Sequence, residues 1–283
     1  MNDSTLRNIW LCADDYGISP SVNAAIRDLI MRGRLNATSV MVAAPSFQPT
    51  EAAALVEQAR SRAAIGLHVT LTAPFRPLSP DYAPVRDGRF LPLVATARHA
   101  FFNALQPELV EREIARQFAA FHEAFGRAPD YVDGHQHAHL FPKIGAALLR
   151  VIKNAAPQAW VRQCERAVSA PKPVSDPKGL ILDALSRRFR RRAAQARVPT
   201  NPAFAGSYSF RADADFAKLF PSFLDALPDG GVVMCHPGIV DAELIRLDPL
   251  TKLREREYAY FSADAFPDLL ARHGFALRRV ATS

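Results

Sequence analysis

Short apolar runs alternate with stretches of helical periodicity along this chain, and several of the runs end in charged or polar residues. That alternation demands a mainly parallel sheet, because parallel strands are joined only by crossovers, and the crossover helices then cover the sheet. The first unit shows the pattern. Residues 8–13 are predicted as a buried strand ending at Asp14-Asp15-Tyr16-Gly17. Ser19 is placed as an N-cap with Pro20 at the first helical position. Val22, Ala25, Ile26, Leu29 and Ile30 follow at helical spacing, and Gly33 supplies the stop.

The same reasoning predicts strands at 38–42, 64–71, 131–133, 159–162, 231–235 and 276–280. Helices are expected at 51–61, 108–125, 144–153, 214–227 and 263–273. The helix at 108–125 carries Ile114, Phe118, Phe121 and Phe125 on one stripe. A Pro-rich loop at about 72–107 interrupts the alternation, with Asp87-Gly88 as a turn. The segment at about 165–210 is rich in proline and arginine and is expected as a variable insertion, a lid or a partly ordered stretch. No linker or repeat stands out, so 1–283 is expected to form a single α/β domain.

Hydrophobic residues make up 49% of the chain and charged residues 22%, which excludes wholesale disorder. No apolar run approaches the roughly 18 residues of a membrane span. The first residues lack the basic-then-apolar order of a secretion signal, so a cytoplasmic location is expected. Cys12, Cys164 and Cys235 form neither a CxxC pair nor an even framework, as expected of reduced thiols. The net charge is +7, and six arginines between Arg187 and Arg197 without an acidic residue account for nearly all of it. Such a run reads first as a solvated helix face or mobile segment, and second as a contact for an anionic partner or surface.

In parallel α/β folds the chemistry collects at the carboxyl ends of strands. The residues there are Asp14-Asp15, His68, the run Asp133-Gly-His135-Gln-His137-Ala-His139, Arg162 and His236. Two adjacent carboxylates repel if buried, and a cation would relieve them; an exposed pair opening a helix is the alternative. His68 alone reads more readily as a hydrogen-bonded core residue than as a ligand. Three imidazoles at period two beside a carboxylate suit a divalent metal better than an incidental polar loop. His99, His122 and His273 are expected at the surface. Cys235 beside His236 offers no nucleophile–base pair, since neighbouring strand residues point to opposite faces.

Together these segments resemble the YdjC-like family of carbohydrate deacetylases, which includes the chitooligosaccharide deacetylases. The resemblance rests on Ala13-Asp14-Asp15-Tyr16-Gly17-Ile18-Ser19-Pro20-Ser21-Val22-Asn23, Ala37-Thr38-Ser39-Val40-Met41-Val42, Ile65-Gly66-Leu67-His68, Asp133-Gly134-His135-Gln136-His137-Ala138-His139 and Met234-Cys235-His236-Pro237-Gly238, in that order. Two departures stand out: Tyr16 where the family commonly has Phe, and Gly134 where it commonly has Ser. The arginine-rich segment also matches poorly.

The resemblance implies a distorted TIM-like (β/α) barrel of the glycoside hydrolase/deacetylase type. It implies one divalent ion, magnesium or zinc, on Asp15, His68 and His135, with Asp14 as general base. His236 is the expected acid, and Arg162 is expected to hold Asp14. His137 and His139 then become outer or substrate-facing groups, substitutes for His135, and Tyr16 places a hydroxyl near the site. The implied activity is removal of the N-acetyl group from an acetylated mono- or oligosaccharide. Hydrolysis of another amide, a lactam or a phosphoester stays open, as does a basic nucleic-acid- or surface-binding protein with a vestigial site. No nucleic-acid partner and no transmembrane segment are expected, and a homodimer is an open option.

Overall fold

A computed structural model describes residues 6–102, 104–170 and 176–278. The first unit forms as its sequence dictates. β1 (Arg7–Tyr16) leads into α1 (Pro20–Met31), whose N-cap Ser19 accepts from the Val22 amide and whose end is turned by left-handed Gly33. Then come β2 (Ala37–Val40), α2 (Pro49–Ala59) and β3 (Ala64–Val69). The expected Pro-rich loop folds in part: it holds a hairpin, β4 (Val85–Arg86) and β5 (Arg89–Phe90), and the helix α3 (Leu93–Phe101). α4 (Pro107–Phe125) buries Ile114, Phe118 and Phe121 on the predicted stripe, and left-handed Gly126 caps it.

β6 (Tyr131–Gly134) passes through a 3-10 segment, His135–Leu140, into α5 (Pro142–Ala155) and β7 (Trp160–Val161). The arginine-rich segment is neither lid nor loose loop over its second half. It is α6 (Pro177–Ala196), a twenty-residue helix capped by Asp176 and pinned to the core by Phe189 and Ala193. Residues 171–175 of that expected insertion lie outside the described residues. β8 (Phe204–Ala205), α7 (Phe216–Leu224), β9 (Val232–Cys235), α8 (Ala242–Leu247), α9 (Lys252–Ser262), α10 (Phe266–Arg272) and β10 (Phe275–Leu277) complete the order. The last strand was expected to run to 280; residues 279–280 lie outside the described residues.

All strand pairings in the main sheet are parallel, in the order β7-β6-β3-β2-β1-β9-β8. The two ends of that order come together. Val161 bridges Thr200 in parallel, its amide donates to Pro199 O, and the Phe204 amide donates to Glu165 O. The sheet therefore curls into a barrel, and the carboxyl ends of its strands face one mouth, as the α/β barrel reading requires. β10 pairs with the first residues of β1, where the Asn36 amide donates to both Ile9 O and Arg278 O.

Close packing inside the barrel rests on one missing side chain. On β2 and β3, Ser39 and Gly66 are partners, and a Cβ on Gly66 would come within 2.4 Å of the Tyr131 ring. Because nothing projects there, the ring lies over β3 and its hydroxyl reaches Cys12 Sγ at 2.9 Å and Ser39 Oγ at 3.0 Å. Tyr131 is fully buried, so it cannot step aside into solvent. Gly66→Ala is expected to destabilise the fold by about 1–3 kcal/mol, read as a lower urea midpoint with unchanged slope; an unchanged midpoint would contradict this packing.

Candidate metal and catalytic site

β1 does not end at Ala13 as expected but continues through the two aspartates with a register shift against β2 between Ala13 and Tyr16. Asp15 sits in that irregularity with φ 69°, a left-handed conformation uncommon outside glycine. The consequence is a divergence of consecutive side chains. Asp14 and Asp15 are both buried, yet each meets its own arginine. Arg162, just beyond β7, forks onto Asp14 with Nη1–Oδ2 and Nη2–Oδ1 both at 2.7 Å. Arg254, on α9, donates through Nη2 to Asp15 Oδ2 at 2.6 Å and to Asp248 Oδ2 at 2.7 Å.

With Oδ2 taken, Asp15 presents Oδ1 to two imidazoles. His68 Nε2 lies 3.3 Å from it and His135 Nδ1 3.0 Å. One donor atom from each of Asp15, His68 and His135 falls within 4.8 Å of the others, and all three residues are buried. The expected trio, drawn from three separate strand ends, thus shares one centre. The far nitrogen of His68 is held as well: Nδ1 lies 2.6 Å from Asp133 Oδ1, its strand partner across β3 and β6. A carboxylate behind an imidazole fixes the tautomer and turns the other nitrogen outward with its lone pair free, the usual support of a ligating histidine.

The field around this centre favours positive charge. Burial alone would suppress the His68 imidazolium, yet Asp133 and then Asp14 override it and push the group up to about 10. Burial would raise both aspartates, but Arg162 overrides it at Asp14, and Arg254 and then His135 at Asp15, holding both well below the ordinary carboxylate range. Two imidazoles and one carboxylate in such a field fit a divalent cation and leave coordination positions for water and substrate. A second group of potential ligands, Cys12, Asp14 and Asp133, is already served by a cation of the protein's own. Arg162 Nη2 reaches Cys12 Sγ at 2.9 Å, Asp14 at 2.7 Å and Asp133 Oδ2 at 2.5 Å.

His236 follows β9 one residue beyond Cys235, which pairs with Ala13, so it stands level with Asp14 on the neighbouring strand. It is half-buried, its Nδ1 has no partner among the described residues, and Phe210 packs edge-on at 5.5 Å. Burial lowers its pKa, with Asp15 opposing. Its backbone amide donates to Glu257 Oε2 at 2.5 Å, and Glu257 Oε1 accepts from Tyr208 at 2.7 Å.

Three expectations need correction. Tyr16 is not near the site: its side chain points to α2, where the hydroxyl donates to Glu51 and accepts from Arg27 at 2.9 Å. His137 and His139 do not stand in for His135, because the run is no strand. Gln136 and His137 are left-handed, at φ 53° and 57°, and the coil sends the three imidazoles in different directions. His139 Nε2 lies 2.8 Å from Arg162 O, and His137 Nδ1 lies 3.5 Å from Cys164 Sγ. Burial, reinforced at His137 by His139, drives their pKa values down to about 3 and about 4, which keeps both neutral. Among the histidines expected at the surface, His122 is exposed whereas His99 and His273 are half-buried.

Arg254 and Glu257 were not among the expected site residues, and Asp133 was collected with the histidine run but given no role of its own. Asp133 carried a signal, since it opens the histidine run. Arg254 and Glu257 lie in Lys252-Leu253-Arg254-Glu255-Arg256-Glu257, which reads as a solvated charged helix, and only the fold reveals that both are buried.

A barrel with convergent metal-type donors and an arginine-held carboxylate at its carboxyl mouth defines an α/β barrel protein with a buried polar centre. The chain belongs to the YdjC-like protein family, which it matches over residues 8–272. It is similar in structure to a proposed cellobiose-phosphate cleavage protein of Enterococcus faecalis, with 21% identity and a TM-score of 0.72 over 96% of this chain and 97% of that one. A family 4 carbohydrate esterase from Streptomyces lividans, solved with acetate, aligns at 12% identity and a TM-score of 0.48, over 98% and 94% of the two chains.

Glu257 gives this neighbourhood a measurable signature. Burial pushes its carboxyl up from 4.5 to about 7, against the pull of the His236 amide and Tyr208. A carboxyl whose folded pKa is raised stabilises the fold most below its unfolded value, and that contribution fades as pH climbs through the folded one. Between pH 4.5 and about 7, the wild type is expected to lose stability relative to Glu257→Gln, measured by chemical denaturation. Parallel pH profiles for the two proteins would disprove a buried, proton-holding Glu257.

Proposed function

We propose that this chain is a metal-dependent carbohydrate deacetylase, which hydrolyses the N-acetyl group of an acetylated mono- or oligosaccharide and releases acetate. The convergence of Asp15, His68 and His135 beside the arginine-held Asp14 carries the reading, and membership of the YdjC-like family supports it. Asp15, His68 and His135 would hold a divalent ion, which would supply Lewis-acid polarisation of the acetyl carbonyl and a more acidic water. Asp15 takes part through Oδ1 only, because Arg254 holds Oδ2. Asp133 keeps His68 turned toward the ion.

Asp14 accepts the water's proton. The Arg162 fork keeps it ionised and fixes its plane; Oδ1 also accepts from Cys12 Sγ, while Oδ2 retains a further lone pair for that proton. His236 delivers a proton to the departing nitrogen as the C–N bond breaks and the new C–O bond remains. Burial disfavours its imidazolium, so it holds the proton that Asp14 took from water only in transit to the nitrogen, and the Glu257 carboxyl fixes the loop that carries it. Imidazole donors suit zinc, whereas magnesium prefers oxygen, so both ions belong in any assay.

The direct test is acetate release from N-acetylated mono- and oligosaccharides with zinc or magnesium added to metal-stripped protein. Asp14→Asn is expected to lower turnover by ~10²–10⁴-fold while binding metal normally; wild-type turnover in that variant would remove Asp14 from the scheme. His68→Ala and His135→Ala are each expected to lose bound metal by elemental analysis, and stoichiometric metal in either would refute the ligand set. Release of acetate from none of these sugars, with metal still bound, would keep the centre and discard the substrate class.

A further inference from the structure

The arginine run takes no part in the centre described above, yet the fold gives it a definite place. α6 packs on α5 and on the 3-10 segment that carries His135, and α3 packs on the same two elements from elsewhere. The two helices meet the start of α5 at neighbouring residues: Phe101 stacks near Phe141 with ring centres 6.0 Å apart, and Arg192 Nη1 donates to Pro142 O at 3.0 Å. They form one rim at the mouth end of the barrel.

Two features coincide on that rim. On α6, Arg188 and Arg191 are exposed and have no acidic partner among the described residues, while the helix's one carboxylate, Asp183, is buried against Arg166. Glu165 pairs with Arg187 and Arg190 of the same helix but not with Arg188 or Arg191, and Arg188 adds to burial in lowering the pKa of Arg192. The same two helices expose large apolar side chains that the core does not cover: Val94 is 81% exposed, Phe102 79% and Ile181 61%. α3 carries no acidic residue at all.

We propose that this rim, the basic face of α6 with the apolar tip of α3, docks on an anionic phospholipid surface. A bilayer interface complements both features at once: acidic headgroups neutralise the arginines, and the boundary of the acyl region buries Val94, Phe102 and Ile181. A polynucleotide would match the charge but leave the aliphatic side chains in water. A second copy of this chain would cover the apolar tip while setting like charges against each other. The proposal is independent of the deacetylase reading.

Cosedimentation with vesicles tests it, comparing pure phosphatidylcholine with an equal mixture of phosphatidylcholine and phosphatidylglycerol. Binding is expected to the mixed vesicles only and to weaken as salt is added. The double variant Arg188→Glu, Arg191→Glu is expected to lose at least about tenfold in vesicle affinity, and Phe102→Ser to lose the part that survives high salt. Both should keep the wild-type melting temperature, since none of these side chains is buried. Equal binding to neutral vesicles, wild-type affinity in the double variant, or no vesicle binding together with tight binding of a single-stranded oligonucleotide would each overturn the proposal. So would a dimer in sedimentation velocity that Phe102→Ser dissociates, without any vesicle binding.

Discussion

The Arg162 guanidinium, fully buried, organises the mouth of the barrel. It lies among Asp14, Asp133, Cys12 and Ser39, supplied by β1, β6 and β2, so a single cation ties three strands together at their carboxyl ends. A buried charge left without its partner costs about 3–5 kcal/mol, so these groups hold one another in place. Two further elements brace the cation itself: His139 pins its backbone carbonyl, and Phe189 of α6 packs edge-on against His139. His139 and Phe189 of the arginine-rich helix therefore brace the centre from behind, while His135 of the same histidine run faces into it.

From that arrangement the different fates of Asp14 and Asp15 follow. Adjacent carboxylates in a regular strand would point to opposite faces, one of them away from the mouth. The irregular, left-handed Asp15 breaks the alternation and lets both aspartates serve one polar centre. Repulsion between them is offset by giving each a separate guanidinium, Arg162 for one and Arg254 for the other. Three buried carboxylates, counting Asp133, then stand against two buried arginines, and the raised His68 pKa is the visible result of that imbalance. A divalent cation is the natural complement of such a field.

How much of this could be read from the sequence depended on whether a residue's role was fixed by its own segment. Asp14, Asp15, His68, Arg162 and His236 each sit where an apolar strand stops, and the rule that parallel strands deliver chemistry at their carboxyl ends was enough to collect them. His137 and His139 could not be told apart from His135 by spacing alone, because it takes the 3-10 coil with two left-handed residues after β6 to turn them away from the centre that His135 shares. Tyr16 was misjudged because the register shift at Asp15 alters which face its neighbour occupies. α9 was missed altogether. Its charges alternate without an apolar stripe strong enough to show which ones turn inward, and only the packing against β1 and β9 decides that Arg254 and Glu257 are the buried ones.

The electrostatics also limit how the proposed reaction can run. A carboxylate gripped on both oxygens by a guanidinium is a poor base, and the depressed pKa of Asp14 expresses that. It cannot deprotonate an ordinary water to any useful extent near neutral pH. It could take the proton of a water that an ion on Asp15, His68 and His135 would make more acidic, and only while that proton passes onward to the leaving nitrogen. The Arg162 fork thus favours orientation and constant charge over basic strength, and transfers the burden of activation to whatever Asp15, His68 and His135 hold. In this scheme metal binding and catalysis are inseparable: a protein with the trio broken would keep its base and its acid, correctly placed, and still have no nucleophile for them to serve.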